Sequence, residues 1–279
     1  NGLIDMECHA ITKVAHKRKV PISLFKWVSD WGDTQRQFEA SLPLFLNALN
    51  HVFHTITNSQ TSVIIPTHNR KELVRSALTS VFTQDVPVNE VIVVDDASTD
   101  NTAQMIRTEF PTVKLLVHST NRGVSESRNT GLAHATHPWI MLLDSDDTWT
   151  NKHHARFIEW RERDPFLRWA QSEEKWIRNG VRVNACDHHK KPKGYVFKDS
   201  LERCMVSPSA VMFHRSLPDK LGIFNTNYTV CEDYECWLRW SRIAPIALIP
   251  HQTLIKTGGH HDQLSTRYVA MDRFRVSAL

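Results

Sequence analysis

Trp139-Ile140-Met141-Leu142-Leu143-Asp144-Ser145-Asp146-Asp147 decides how this chain is read. Trp139 to Leu143 is apolar, short and stopped by polar residues, the pattern of a buried strand. Three carboxylates follow at its C-terminal end. Carboxylates this crowded repel one another unless a cation or protons compensate. A hard divalent ion held through oxygen, with positions left open for phosphate, is the usual solution. The same residues would also serve as a helix N-cap followed by an acidic first turn. Taken alone, the run divides evenly between the two.

Two earlier segments repeat the pattern of a strand that ends in turn chemistry. Ser62-Val63-Ile64-Ile65 runs into Pro66-Thr67-His68-Asn69-Arg70, and Val91-Ile92-Val93-Val94 runs into Asp95-Asp96-Ala97-Ser98-Thr99-Asp100. Continuous β-branched runs suit parallel strands covered on both faces. Between them, Glu72 to Phe82 sets Leu73, Ala77, Leu78 and Val81 on one helical stripe. A second helix, Thr102 to Phe110, follows Asp100 as its N-cap, and a third strand, Val113 to Val117, follows that. The alternation predicts a doubly wound α/β sheet, whose ligand crevice lies beyond the carboxyl ends of the strands.

With Asn121-Arg122-Gly123-Val124-Ser125-Glu126-Ser127-Arg128-Asn129 and Cys231-Glu232-Asp233-Tyr234-Glu235-Cys236-Trp237-Leu238-Arg239, these stretches make five separated motifs. Residues 61–276 resemble a family 2 glycosyltransferase, in which the five occur in this order. The resemblance implies the GT-A fold, a Rossmann-like nucleotide-sugar-binding domain on a mixed, mainly parallel sheet. It implies an inverting transferase, metal-dependent, that moves a sugar from a nucleotide diphosphate sugar to a hydroxyl acceptor. UDP is the expected nucleotide.

The resemblance also distributes roles. Pro66, Thr67 and Asn69 would line the donor nucleotide, and Asp96 would accept from the base ring N–H, which suits an acceptor-only carboxylate. The competing reading of Asp95 and Asp100 is Asx-turn and cap chemistry. Arg128 would stack on or bond the base or diphosphate with its planar fork. Asp146 would bind Mn2+ or Mg2+ directly. Asp144 would meet the ribose or metal-bound water, and Asp147 would cap the next helix. His260, or alternatively His261, would be a third metal ligand, in a loop made mobile by Gly258 and Gly259. Asp233 would be the catalytic base at the start of a helix near Tyr234, with Glu232 orienting the acceptor. Plain helix capping is the alternative for both acids.

Glu174 to Asn184 reads as two strands around Asn179-Gly180, a strong hairpin signal. Trp176 reads as core or hairpin packing, the favoured role, or as a stacking face for a sugar ring, and Lys190, Lys191 and Lys193 on the acceptor side as a solvated cluster, the favoured role, or as contacts for an anionic acceptor. Ser207 to Met212 reads as a strand. Cys186-Asp187-His188-His189 lacks the spaced partner pair of a zinc site.

Residues 1–58 form a separate object from the transferase domain over 59–279. Helix, strand and helix patterns follow one another there, too little to close a core. Asp5-Met6-Glu7-Cys8-His9-Ala10 and Val28-Ser29-Asp30-Trp31-Gly32-Asp33 resemble the C-terminal tail of a nucleoside phosphorylase or nucleosidase. A truncated remnant of that domain with a linker is the expectation, and a chain cut at both ends.

Composition sets loose limits. The 279 residues, 41% hydrophobic, can bury a good core, and a net charge of +4 suits a phosphate-bearing ligand. The five cysteines form no framework, which reads as free thiols in a reducing compartment. No basic-aromatic module is present, so no nucleic-acid partner is expected. No apolar run approaches a membrane span. The expected place is the cytoplasm, with peripheral association at the inner membrane face. The acceptor is a glycan, a lipid-linked group or a small molecule. A nucleotidyltransferase is the runner-up, but it needs a glycine-rich phosphate loop that Pro66 to Arg70 does not provide.

Overall fold

The computed structural model describes residues 60–183, 190–259 and 272–279. They belong to the unit Asn58–Leu279. The expected N-terminal fragment, Cys186 to His189, and His260 and His261 lie outside the described residues.

The first half alternates as expected: β1 (Thr61–Thr67), α1 (Lys71–Phe82), β2 (Glu90–Asp95), α2 (Thr102–Glu109), β3 (Lys114–Val117), α3 (Val124–His134) and β4 (Trp139–Leu142). Then come β5 (Thr148–Trp149), α4 (His153–Arg163), β6 (Trp169–Arg178), β7 (Val181–Val183), α5 (Phe197–Ser200), β8 (Val211–His214), α6 (Ser216–Leu221), α7 (Glu232–Ser241), β9 (Ala247–Gly258) and α8 (Asp272–Ala278). One sheet carries them in the order β3-β2-β1-β4-β8-β6-β9-β5, with β7 on β6. The first four are mutually parallel, as are β6 and β9, while β8, β7 and β5 run against their neighbours. This is the expected mixed, mainly parallel sheet.

Strand side chains alternate between faces, so each parallel strand feeds two cores. Val63 and Ile65 pack with Val74, Leu78 and Ile106 on one side. Ile64 packs on the other with Leu132, Trp237 and Trp240. α3 can lie on β1 only because residue 131 is glycine: a Cβ there would overlap Ile64 Cγ2. Trp169, Phe213, Phe224, Trp237 and Trp240 interlock mostly edge-to-face, which fixes α7 against the sheet.

Several local expectations shift. Val74, not Leu73, is buried on α1. Ser207 to Met212 is not one strand: Pro208–Ala210 forms a 3-10 turn, which the fixed proline φ favours, and β8 starts at Val211. α7 begins at Glu232, two residues before Tyr234. The Asn179-Gly180 hairpin turn forms with both residues at positive φ, as a type I′ turn requires.

Candidate active site

The ends of β1 and β2 are tied together by side chains. Asn69, at φ 51°, donates its N–H to Ser98 Oγ at 2.8 Å, and its Oδ1 accepts the Thr99 N–H at 2.7 Å. Asp95 Oδ1 accepts from Ser98 N at 3.0 Å, the Asx-turn reading. Asp100 caps α2 from one residue outside, through Thr102 N, although Asn101 holds the N-cap position. Its other oxygen accepts from Lys71 N, so one carboxylate serves two helix starts. The Thr67 hydroxyl and Asp95 Oδ2 are buried with no hydrogen-bond partner.

Asp96 faces the chain itself. Its carboxylate accepts from the backbone N–H of Arg122 at 2.9 Å and Gly123 at 2.7 Å, and meets His118 Nδ1 at 2.7 Å. A carboxylate has about four acceptor positions, so about one remains for a ligand. Gly123 takes φ 88° at the N-cap of α3, a conformation that frees its amide to point at Asp96.

At the end of β4, three cations meet the three carboxylates. Arg128 Nη2 pairs with Asp144 Oδ1 at 2.8 Å, and Arg70 Nη1 with Asp146 Oδ2 at 3.1 Å. Lys256 of β9 is the third. Burial works against its ammonium, yet the carboxylates of Asp147, Glu174, Asp144 and Asp146 push its pKa up. Asp147 does not cap the next helix. Its Oδ2 accepts from Ser209 Oγ at 2.7 Å and its Oδ1 from the backbone N–H of Thr257 at 3.2 Å, because β9 passes closer than α4 begins. Burial, reinforced by Asp146 and Asp144 against the pull of Lys256, raises the Asp147 carboxyl to about 7. Burial and Asp144 also raise Asp146. Asp144 goes the other way: burial opposes its ionisation, but Arg128 overrides it.

Arg128 is 3% exposed, so its fork is turned inward rather than toward solvent. Its Nη1 donates to Glu232 Oε1 at 2.6 Å, which joins the β4 carboxylates to the start of α7. Glu232 is buried, and burial with the neighbouring Asp233 charge raises it to about 7 despite Arg128. Burial therefore outweighs the Arg128 charge at this carboxyl. Asp233 is half-buried. Its Oδ1 accepts from Tyr234 N at 2.7 Å, and its Oδ2 lies 3.8 Å from Cys204 Sγ. Burial and Asp233 hold the Cys204 thiol protonated. Cys204, Cys231 and Cys236 are free, as expected.

Sequence reasoning did not assign roles to Arg70, His118, Ser209, Glu174 or Lys256. Arg70 and His118 follow strands of the parallel set, so position at a strand end was the available signal. Lys256 gives none until β9 is known to run past Asp147. Among the described residues no group of three or more His, Cys, Asp or Glu is gathered as a metal cage. No helix among them is long and apolar enough to cross a membrane.

A sheet whose parallel strand ends gather acidic loops, with an acid pair at the start of α7, matches the frame expected of a nucleotide-sugar transferase. The chain belongs to glycosyl transferase family 2, whose model matches residues 62–222, and it is a glycosyltransferase. It is 28% identical over 179 residues to the UDP-Glc:alpha-D-GlcNAc-diphosphoundecaprenol beta-1,3-glucosyltransferase WfgD of Escherichia coli, covering 63% of this chain and 68% of WfgD. S. aureus TarS 1-349 in complex with UDP-GlcNAc aligns with a TM-score of 0.64 at 22% identity, over 77% of this chain and 63% of TarS 1-349. The mannosyltransferase PcManGT from Pyrobaculum calidifontis, in complex with GDP-Man and Mn2+, aligns at 0.54 and 24% identity, over 71% of this chain and 56% of that one. Both likenesses bear out the GT-A fold.

Proposed function

We propose that residues 59–279 form an inverting, metal-dependent transferase of UDP-sugars acting on a hydroxyl acceptor. The observation that carries this is the join between the two acid sites: Arg128 bonds Asp144 at 2.8 Å and Glu232 at 2.6 Å, which ties the end of β4 to the start of α7, where Asp233 follows Glu232. The family membership and the UDP-linked names of WfgD and TarS support it.

The donor set fits a hard divalent cation. Asp144 and Asp146 are hard oxygen ligands in a cluster where burial and mutual repulsion raise Asp146 and Asp147. One or two carboxylates completed by substrate phosphates is the usual binding of Mg2+ and similar ions, so a full protein cage is not required. Asp146 and Asp144 would hold Mn2+ or Mg2+, with His260 as the further ligand. The ion would neutralise the diphosphate as negative charge grows on it.

The remaining chemistry belongs to the chain. Pro66, Thr67 and Asn69 line the nucleotide, and Asp96 accepts the base N–H at its remaining acceptor position. Arg128 orients Asp144 and Glu232. Asp233, the less buried acid of its pair, takes the proton of the acceptor hydroxyl. That oxygen bonds to the anomeric carbon as the carbon–oxygen bond to the diphosphate breaks on the opposite face, inverting the centre. Glu232, bonded to Arg128, holds the acceptor side of the loop. The acceptor named for WfgD carries a diphosphoundecaprenol lipid, and a similar acceptor would bring this chain to the inner membrane face.

A panel of radiolabelled UDP- and GDP-sugars, read for metal-stimulated hydrolysis and transfer, tests this. UDP-sugar turnover that stops in chelator and in Asp146→Ala is the expected result. Equal donor binding in chelator and in manganese overturns the metal requirement, and GDP-sugar preference overturns the base.

A further inference from the structure

Of the seven tryptophans in the described residues, six are buried and Trp176 alone is open, at 37% exposure. It is not loose. Its Nε1–H donates to Glu174 Oε1 at 3.0 Å, and Lys256 Nζ sits 5.1 Å from the ring centroid. Its cross-strand partners are Val183 on β7, itself 44% exposed, and Lys256 on β9, and together they leave more than a third of the indole uncovered. A ring held at its edge and by a cation, yet left in water, is preorganised to receive something.

Its holders are buried and charged. Glu174 Oε2 pairs with Lys191 Nζ at 3.0 Å, with side chains 9% and 6% exposed, and Lys191 also donates to Ser207 Oγ at 3.0 Å. The surroundings lead to both halves of the site. Lys256 is in the field of Asp144 and Asp146. Ser207, the partner of Lys191, follows Val206, whose carbonyl accepts from Cys204 Sγ at 3.2 Å, and that sulfur is 3.8 Å from Asp233 Oδ2. Lys191, expected to be solvated, is instead part of this wall because Glu174 compensates its charge.

We propose that Trp176 is the acceptor platform and that the acceptor presents a pyranose ring. This rests on the transferase reading and adds its substrate class. The indole offers a flat apolar face to the axial C–H groups of a sugar. The carboxylate at its edge and the ammonium over its ring suit vicinal hydroxyls, which both donate and accept. An anionic acceptor fits less well, since both lysines already face carboxylates.

The test uses the full chain labelled with 5-fluorotryptophan, the Trp176 19F resonance being assigned by its loss in Trp176→Phe. Methyl glucopyranoside, methyl N-acetylglucosaminide and methyl galactopyranoside are titrated against ribitol and glycerol. The Trp176 resonance should move with a pyranoside and not with the open-chain polyols. With the pyranoside that moves it as acceptor, Trp176→Ala should raise the acceptor KM about tenfold, the size of an aromatic contact of about 1.4 kcal/mol. The donor KM should stay unchanged, and Trp176→Phe should recover most of the loss. A resonance that ignores every pyranoside while the wild type hydrolyses UDP-sugar overturns the platform alone. So does an unchanged acceptor KM, or a shift with ribitol only. A wild type that turns over no nucleotide sugar overturns the transferase reading.

Discussion

Replacing Arg128 by Met removes the guanidinium that meets Asp144 at 2.8 Å and Glu232 at 2.6 Å, and leaves an apolar chain in its place. The Arg128 and Glu232 side chains are 4% and 7% exposed and Asp144 24%, so water does little for the stranded carboxylates. Breaking a buried ion pair from one side costs about 3–5 kcal/mol. Losing the guanidinium over the Phe224 ring adds about 0.5–1 kcal/mol. Domains are stable by about 5–15 kcal/mol, so the variant approaches the edge of folding. The cost also depends on pH, with a definite sign. Burial and Asp233 already raise Glu232 to about 7 against Arg128, and without Arg128 it rises further. An acid with a raised folded pKa weakens the fold above that value, and the penalty fades as pH falls toward its unfolded pKa. Asp144 is held down by Arg128 against burial, so the stability it contributes is present above the ordinary carboxylate pKa and is lost only in acid. The deficit of Arg128→Met should therefore be about 4 kcal/mol near pH 8 and about 2 kcal/mol near pH 5.5, where Glu232 is neutral. Urea unfolding followed by tryptophan fluorescence measures it, since Trp237 lies edge-on to Phe224 under the arginine. Arg128→Lys, which keeps charge but not the fork, should fall between. A deficit below about 1 kcal/mol, or one equal at both pH values, would refute the buried-clamp reasoning.

Asp233→Asn should keep donor affinity and lose transfer by about 10³-fold, as expected when a general base is neutralised without change of shape; near wild-type transfer, with Glu232→Gln inactive, moves the base to Glu232. Gly131→Ala should cost about 1–3 kcal/mol in urea unfolding, because the new methyl overlaps Ile64, and an unchanged midpoint sinks the claim of close approach. Asp100→Ala should lose about 2 kcal/mol, about one for each helix it caps, with the loss fading in acid where the wild-type carboxyl protonates. A chain starting at Ser59 should transfer sugar as the full chain does, as measured by product formation; if it does not fold, residues 1–58 are part of the transferase core.

The sheet was legible because its parallel strands are continuous apolar runs that stop abruptly at polar turns, as Val91 to Asp95 does. The acids were legible as types at strand ends. Their partners were not. Arg128 reads as a ligand contact, and sequence spacing cannot tell that Glu232 also returns to it from 104 residues away. Asp147 looked like a cap because the helix that follows is near in sequence, whereas its partner on β9 is near only in space. Trp176 was expected to pack within a hairpin, and its exposure depends on Val183 leaving it uncovered.

Two bonds at the carboxylates each span about half of the domain in sequence: Arg128 to Glu232 over 104 residues, and Asp147 to Thr257 over 110. Contacts of such long separation close late, since loop entropy must be overcome before they form. During synthesis the first four strands can pair while Asp144 still lacks its α7 anchor and Asp147 its strand. The acidic loop should then be the last part of the sheet to acquire its electrostatic balance. Pulse-labelled amide exchange would see this as protection at β1 and β2 well before protection at Thr257.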